Sequence, residues 1–270
     1  MPVSKLKNLA ILILLLANAA LLCLLVPRQL HQRQQTQALR DSVSRLCAEQ
    51  NVVLDSDHVP ETITLYPLEL ADSAAAETAA LTALLNETPE KTDSGRLTSP
   101  SIRLGSWENG VLSLKLSGQK EVSNLRSAAS RTLGKMGFQT HSLDTPTRLS
   151  PGIYSLNAVQ SVLGVPVFSG GLTLTYANSA LSDLSGTFFT GTLTRADDTA
   201  CITAAEAVVA FLSARMELGW VGSAITGLEQ GYYNYASAGT AIRLTPVWKI
   251  TTDTGSFLVN GQNWEVSVFS

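Results

Sequence analysis

Three histidines, three cysteines and a few carboxylates are the side chains of this 270-residue sequence with obvious chemical potential. His31, His58 and His141 stand far apart, and none has a Cys, His, Asp or Glu at metal-ligand spacing. There is no Gly-x-Ser-x-Gly elbow, no His-Glu-x-x-His helix and no Gly-x-x-x-x-Gly-Lys phosphate loop. Gly170-Gly171 reads as a strand turn, because no helix N-terminus follows to meet a phosphate. Asp197-Asp198 and Glu77 read as solvated charges. The expectation is a protein that is not an enzyme and uses no metal or cofactor; an enzyme with a dispersed site is the weakest alternative. Cys47 and Cys201 either pair in an oxidising compartment or stay free as small hydrophobes among apolar neighbours.

Binding chemistry has two candidates. Tyr232, Tyr233, Tyr235 and Trp248 form either an aromatic recognition surface or cross-strand packing, and packing is the favoured reading. Asn18 is the one polar residue in a long apolar run. In lipid its amide would contribute roughly 0.6–2 kcal/mol by hydrogen-bonding a partner helix. Ala19 and Cys23 form a small-x-x-x-small pair that would let such a helix approach. The competing reading has Asn18 satisfied by a local backbone carbonyl.

The element that carries these three residues is a membrane helix. Leu9 to Val26 is apolar apart from Asn18, long enough to cross roughly 30 Å of hydrocarbon. Pro27 then stops or bends it. Lys5, Lys7 and Ala17-Asn18-Ala19 resemble a cleavable signal, but the apolar run continues through Leu21–Val26, which favours an uncleaved anchor. Basic residues flank both ends (Lys5 and Lys7; Arg28, Arg33, Arg40 and Arg45), so charge alone leaves orientation open. The net charge is −3, with no basic footprint for nucleic acid. Only 15% of residues are charged, against about a quarter in an ordinary soluble domain.

Beyond the anchor (1–27), the spacing predicts a juxtamembrane helix within 28–54, with Leu39, Val43, Leu46 and Cys47 on one apolar stripe. A first lobe (55–150) should hold a strand over Thr62–Tyr66, a helix over Leu68–Leu85 and an exposed loop over Glu87–Pro100. A hairpin turning at Asn109-Gly110 and a helix over Glu121–Met136 complete it. Asp144–Gly152 reads as the junction to a second lobe (151–270). There Thr203 and Glu206 cap a helix over Ala204–Glu217. Ile242, Leu244, Trp248 and Ile250 share one strand face, with Arg243, Thr245, Lys249 and Thr251 on the other. Hairpin-then-helix occurs at Ile102–Met136 and again at Leu172–Glu217. The fold class expected is α+β: one transmembrane helix, then two lobes, each an antiparallel sheet with a helix across it.

The short lysine-bearing N-terminus, the single apolar span and the Cys47–Pro60 stretch resemble the YycI-type regulatory proteins of Gram-positive bacteria. Leu244–Ile250, Phe257–Gly261 and Glu265-Val266 are similar to the end of YycI- and YycH-like proteins. Gly164–Phe168 and the capped helix from Thr203 resemble PepSY-like modules. The resemblance implies a single-pass protein of the cell membrane with a cytoplasmic N-terminus and an extracytoplasmic α+β domain. It also implies binding to the membrane sensor histidine kinase of a cell-wall two-component system, through transmembrane contacts among others. A YycH-like paralogue would be a further partner. It transfers no active-site residue. The alternative is a PepSY-like inhibitory or chaperone-like module acting on an extracytoplasmic peptidase.

Overall fold

A computed structural model describes residues 40–54, 59–60, 62–92, 95–235 and 242–269. The expected membrane span, with Asn18, Ala19 and Cys23, lies outside the described residues. Among the described residues no helix is long and apolar enough to cross a membrane. The architecture is α+β and mostly sheet.

Residues 40–49 are helical (α1). Val43 and Cys47 are buried and Leu46 packs beside them, so the three-and-four spacing docks this helix on the body. Arg40 Nε donates to the Val59 carbonyl at 2.9 Å. After Asn51 in the left-handed region (φ 56°), β1 (Val53–Leu54) runs parallel to residues 224–225.

Residues 62–67 form no strand. The helix expected over 68–85 begins late: Leu68–Ala71 is a strand, β2, with Leu68 and Leu70 facing inward. Asp72, left-handed at φ 55°, then turns the chain into α2 (Ser73–Leu85). Helix propensity loses here because β2 pairs on both sides, with residues 192–195 and 243–244. A small hairpin, β3 (Glu90–Lys91) and β4 (Leu97–Thr98), lies in the segment read as loop. β5 (Ile102–Glu108) and β6 (Val111–Leu116) then pair with Glu108 opposite Val111. This leaves Asn109-Gly110 as a two-residue turn with both φ positive, 52° and 80°.

The third helix, α3 (Leu125–Lys135), starts where the Asn124 side chain accepts from Ser127 N–H. It closes through Gly137 (φ 75°), with Phe138 N–H donating to Leu133 O at 2.9 Å. β7 (Thr140–Leu143) and β8 (Thr147–Ser150) both lie along β9 (Ile153–Val162), so the 144–152 stretch carries strand at a sheet edge. β9 turns at Leu163-Gly164 into β10 (Val165–Ala177), and β11 (Ala180–Thr187) returns beside it. β10 runs through Gly170-Gly171 without turning there. Its register to β9 shifts between Val167 and Gly171, and a Cβ on Gly171 would stand 2.9 Å from Ala158 O. Gly171 therefore serves close backbone approach.

β12 (Thr192–Arg195) leads to α4 (Ala204–Ala214), which opens on the expected capping box. Thr203 N–H donates to Glu206 Oε2 at 2.7 Å, and Glu206 N–H donates to Thr203 Oγ1 at 3.3 Å. β13 (Ala224–Asn234), β14 (Arg243–Thr252), β15 (Ser256–Asn260) and β16 (Val266–Phe269) follow as a meander.

Fourteen of the strands join into one sheet. The order β5-β6-β11-β10-β9 forms one half and β13-β14-β15-β16 the other. They meet where Val167 pairs parallel to Tyr232. Two hydrophobic clusters fill the halves. One sets Leu81 and Leu133 against Leu156, Leu172 and Leu184; the other sets Cys47 and Phe211 against Trp248 and Ile250. The 172–187 hairpin packs in the first cluster, beside β6, rather than beneath α4. The recurring unit in space is thus a helix followed by an antiparallel meander: α3 before β9–β11, α4 before β13–β15.

Candidate interaction surface

The two faces of the C-terminal meander separate the four aromatic residues singled out in the sequence. Cross-strand register puts Gln230 opposite Trp248 and Tyr232 opposite Pro246 on the inner face. Tyr232 and Trp248 are fully buried. Trp248 Nε1 donates to Ile202 O at 2.8 Å, and Tyr232 Oη donates to Tyr66 O at 3.1 Å. Burial first, then the neighbouring Cys201, pushes the Tyr232 phenol up to about 12, against the Tyr66 hydrogen bond. These two residues are packing.

Tyr233 and Tyr235 belong to the outer face. Their ring centroids are 4.7 Å apart at 57°, and Phe269 stands edge-on to Tyr233 at 6.5 Å. Phe269 in turn meets Phe168 at 6.1 Å. Lys249 Nζ lies 5.4 Å from the Phe168 ring and 5.0 Å from the Phe269 ring, close enough for cation–π attraction to both. Phe168 lies over β13 because Gly231 has no side chain: a Cβ there would stand 2.8 Å from Phe168 Cε2 and 2.5 Å from Pro166 O. Val247 and Leu258, both buried, share this face by register. Tyr235 is 44% exposed. Its phenol is nonetheless pushed up to about 12, by burial first and then by Tyr233 and Glu265, with a Ser267 hydrogen bond opposing. It remains a neutral donor at physiological pH.

This arrangement offers apolar area, phenol donors and one cation, which suits recognition rather than bond making. The alternation through Trp248 already placed Lys249 on this face. Phe168 and Phe269 are not part of the group read from the sequence, because each comes from another strand that only the sheet brings alongside. The only local sign of Phe168 was Gly231 in mid-strand, which marks a close approach.

The remaining chemistry-bearing residues are dispersed. His141 is on β7 rather than in a loop, with Nε2 3.3 Å from Glu229 Oε1 at the rim of the outer face. His31 and His58 lie outside the described residues. Asp198 pairs with Arg195 at 2.8 Å, and Asp197 accepts from Thr199, as solvated loop charges do. Glu77 differs from its expectation: it is buried, and desolvation raises its carboxyl pKa while Lys91 opposes. Cys47 and Cys201 are both free and buried, each thiol pushed up to about 11 chiefly by burial.

No protein-family model and no curated protein sequence matches the chain. Among solved structures it is similar to an uncharacterized protein from Eubacterium rectale ATCC 33656, at 8% identity and a TM-score of 0.43, over 77% of this chain and 86% of that one. It is also similar to the C-terminal domain of Bacillus megaterium YpeB, at 10% identity and a TM-score of 0.37, over 75% of this chain and 99% of that one.

Proposed function

We propose that the chain is a membrane-anchored extracytoplasmic regulator that binds the sensor histidine kinase of a cell-wall two-component system and sets its activity by protein contact. The observation that carries the contact is the outer aromatic face, where Phe168 and Phe269 flank Lys249 and Tyr233 joins Phe269 to Tyr235. Rigid aromatic side chains with a polar tip are the residue types that dominate protein interfaces. The kinase as partner rests on the YycI-type resemblance. The apolar span of residues 9–26 is the anchor, with Asn18, Ala19 and Cys23 as its contact to a kinase helix. Differential contact with two kinase states shifts the balance between them without chemistry on the regulator.

Co-purification with the candidate kinases tests this, using the full chain, a form lacking residues 1–27, and a full-length Phe168→Ala/Tyr233→Ala variant. The full chain should retain a kinase, and the double variant should bind it at least about tenfold more weakly, as loss of an interface hot spot does. Loss on removing residues 1–27 would assign the remaining affinity to the membrane segment. If no form retains a kinase, the reading falls; recovery of a peptidase in its place would make the protein a masking module instead.

A further inference from the structure

Three hairpins among the described residues turn on two residues of positive φ: Asn109-Gly110, Leu163-Gly164 and Asn178-Ser179. Such turns call for asparagine, aspartate or glycine in the first place, because left-handed φ disfavours a bulky side chain. Two of the three comply. Leu163 does not: it holds φ 52° and leaves its side chain 65% exposed. It suits neither the turn nor the core, and a local rule broken with no gain in packing marks a functional place.

Leu163 is at the rim of a cavity of about 250 Å³, whose apolar walls include Leu70, Val162, Phe188, Phe189 and Leu193. No charged side chain lines it, and the Gln160 amide on its wall is already held at both ends by Phe189. A charged group entering would lose its water without gaining a partner. An apolar group fits, since roughly 150 Å³ suffices for a benzene-sized ring.

Leu193 adds a second demand. Its strand, β12, pairs with β2 alone. Ala196 N–H donates to Pro67 O at 2.9 Å. By antiparallel alternation Thr194 and Thr192 also turn their backbone groups to β2, whereas Leu193 turns both of its own to the free edge. Among the described residues those two groups have no protein partner. An open edge is a template for another strand, and a strand laid there sets one side chain beside Leu193 on the face that walls the cavity. The edge calls for a peptide backbone and the uncharged cavity for an apolar side chain. A lipid chain would meet only the second.

The geometry points to a peptide site: an extended segment of a partner protein adds to the free edge of β12 and sets a bulky apolar side chain, beside Leu193, in the cavity rimmed by Leu163. In strand addition of this kind main-chain bonds supply affinity and the cavity selects the side chain. The site shares no residue with the outer aromatic face and stands whether or not the partner bound there is a kinase.

The probes are capped heptapeptides that alternate threonine with leucine, in three forms: unmodified, with glutamate as the central residue, and with methylated backbone nitrogens. Binding to the full chain in lipid nanodiscs is measured by calorimetry, and amide hydrogen exchange is followed over residues 192–195. Two variants are compared with the parent. Leu163→Asn installs the favoured Asn-Gly turn, and Leu193→Pro removes an outward N–H, a place where an edge strand tolerates proline.

The unmodified peptide should bind the parent saturably and slow exchange over 192–195. The glutamate and methylated forms should bind at least about tenfold more weakly, as should both variants to the unmodified peptide. Leu163→Asn should unfold at or above the parent's midpoint, so its loss of binding is not a loss of fold. The inference is overturned if the unmodified peptide does not bind, if it binds without protecting residues 192–195, or if the methylated form binds equally well. It is also overturned if Leu163→Asn binds like the parent or melts below it, since Leu163 would then serve the fold alone. Self-association of the parent that Leu193→Pro abolishes would put a second copy on this edge and overturn the assignment to a partner.

Discussion

Gln230 holds the backbone of Ile63 through both ends of its side-chain amide: Ile63 N–H donates to Oε1 at 2.9 Å, and Nε2 donates to Ile63 O at 2.8 Å. Gln160 does the same to Phe189, with Nε2 donating to the carbonyl at 2.6 Å and the Phe189 N–H donating to Oε1 at 3.0 Å. The two glutamines occupy equivalent places, on β9 and β13, the long strands that follow α3 and α4. Each stands in for a strand neighbour and lets an extended segment cross the sheet without a ladder of its own.

Replacing either glutamine by leucine keeps apolar volume and strands two backbone groups. The loss should differ between them, because Phe189 is 4% exposed whereas Ile63 is 50% exposed. Water can rescue the backbone of Ile63 but not that of Phe189. Gln160→Leu should cost about 2–4 kcal/mol and Gln230→Leu about 1–2 kcal/mol, given about 1–3 kcal/mol for each buried group left unsatisfied. Urea unfolding of both variants checks this; equal losses would show that exposure does not set the cost.

The helix cap gives a smaller and more local effect. Thr203→Ala removes the acceptor for Glu206 N–H and the hydroxyl donor to the Glu206 carboxylate, leaving only the bond from the backbone N–H of residue 203. It should destabilise the protein by about 1 kcal/mol, within the range of about 0.5–2 kcal/mol for lost N-caps. Thr203→Ser should restore most of it. A Thr203→Ala urea midpoint indistinguishable from the parent's would mean that the packing of Ala207, Val208 and Phe211 alone fixes α4.

These two cases mark what the sequence discloses. The capping box and the Asn109-Gly110 turn are contained within a few residues, so their chemistry is visible without the rest of the chain. The inner and outer faces of β14 follow from strict alternation around Trp248. Residues 62–67 and 68–71 could not be read this way. Their conformation is set by Gln230 and by strands β12 and β14, between about 120 and 175 positions away. Phe168 and Phe269 escape the aromatic group for a related reason: each comes from another strand, 65 and 36 positions from Tyr233, and only the sheet brings them together. Packing, the favoured reading for all four aromatic residues, holds for Tyr232 and Trp248, which alternate onto the face that α4 covers, and not for the exposed Tyr235.

Gly231 links the packing of the outer face to the join between the two halves. In Gly231→Ala the new methyl meets Pro166 O and the Phe168 ring, next to the Val167–Tyr232 pair that joins β10 to β13. Overpacking of this kind costs about 1–3 kcal/mol. The Phe168 ring should also move off Lys249 and Phe269, changing the near-ultraviolet circular dichroism. Unaltered stability together with an unaltered aromatic signal would mean that β13 and β10 shift freely against each other.

The two buried thiols make stability depend on alkaline pH. Unfolded cysteine ionises near 9.0, whereas Cys47 and Cys201 in the folded chain are held up to about 11 by burial. Because the folded values are raised, the stabilisation is complete below pH 9 and is lost as pH climbs from 9 towards 11, where the unfolded chain releases protons the folded chain keeps. In a Cys23→Ser background, a thiol reagent at neutral pH should leave both residues unmodified in the folded protein and label both in urea. The urea midpoint should fall between pH 9 and 11, and Cys47→Ala/Cys201→Ala should flatten that fall relative to the parent. Rapid labelling of either thiol in the folded state, or a Cys47–Cys201 bridge by mass spectrometry, would contradict the buried, reduced arrangement.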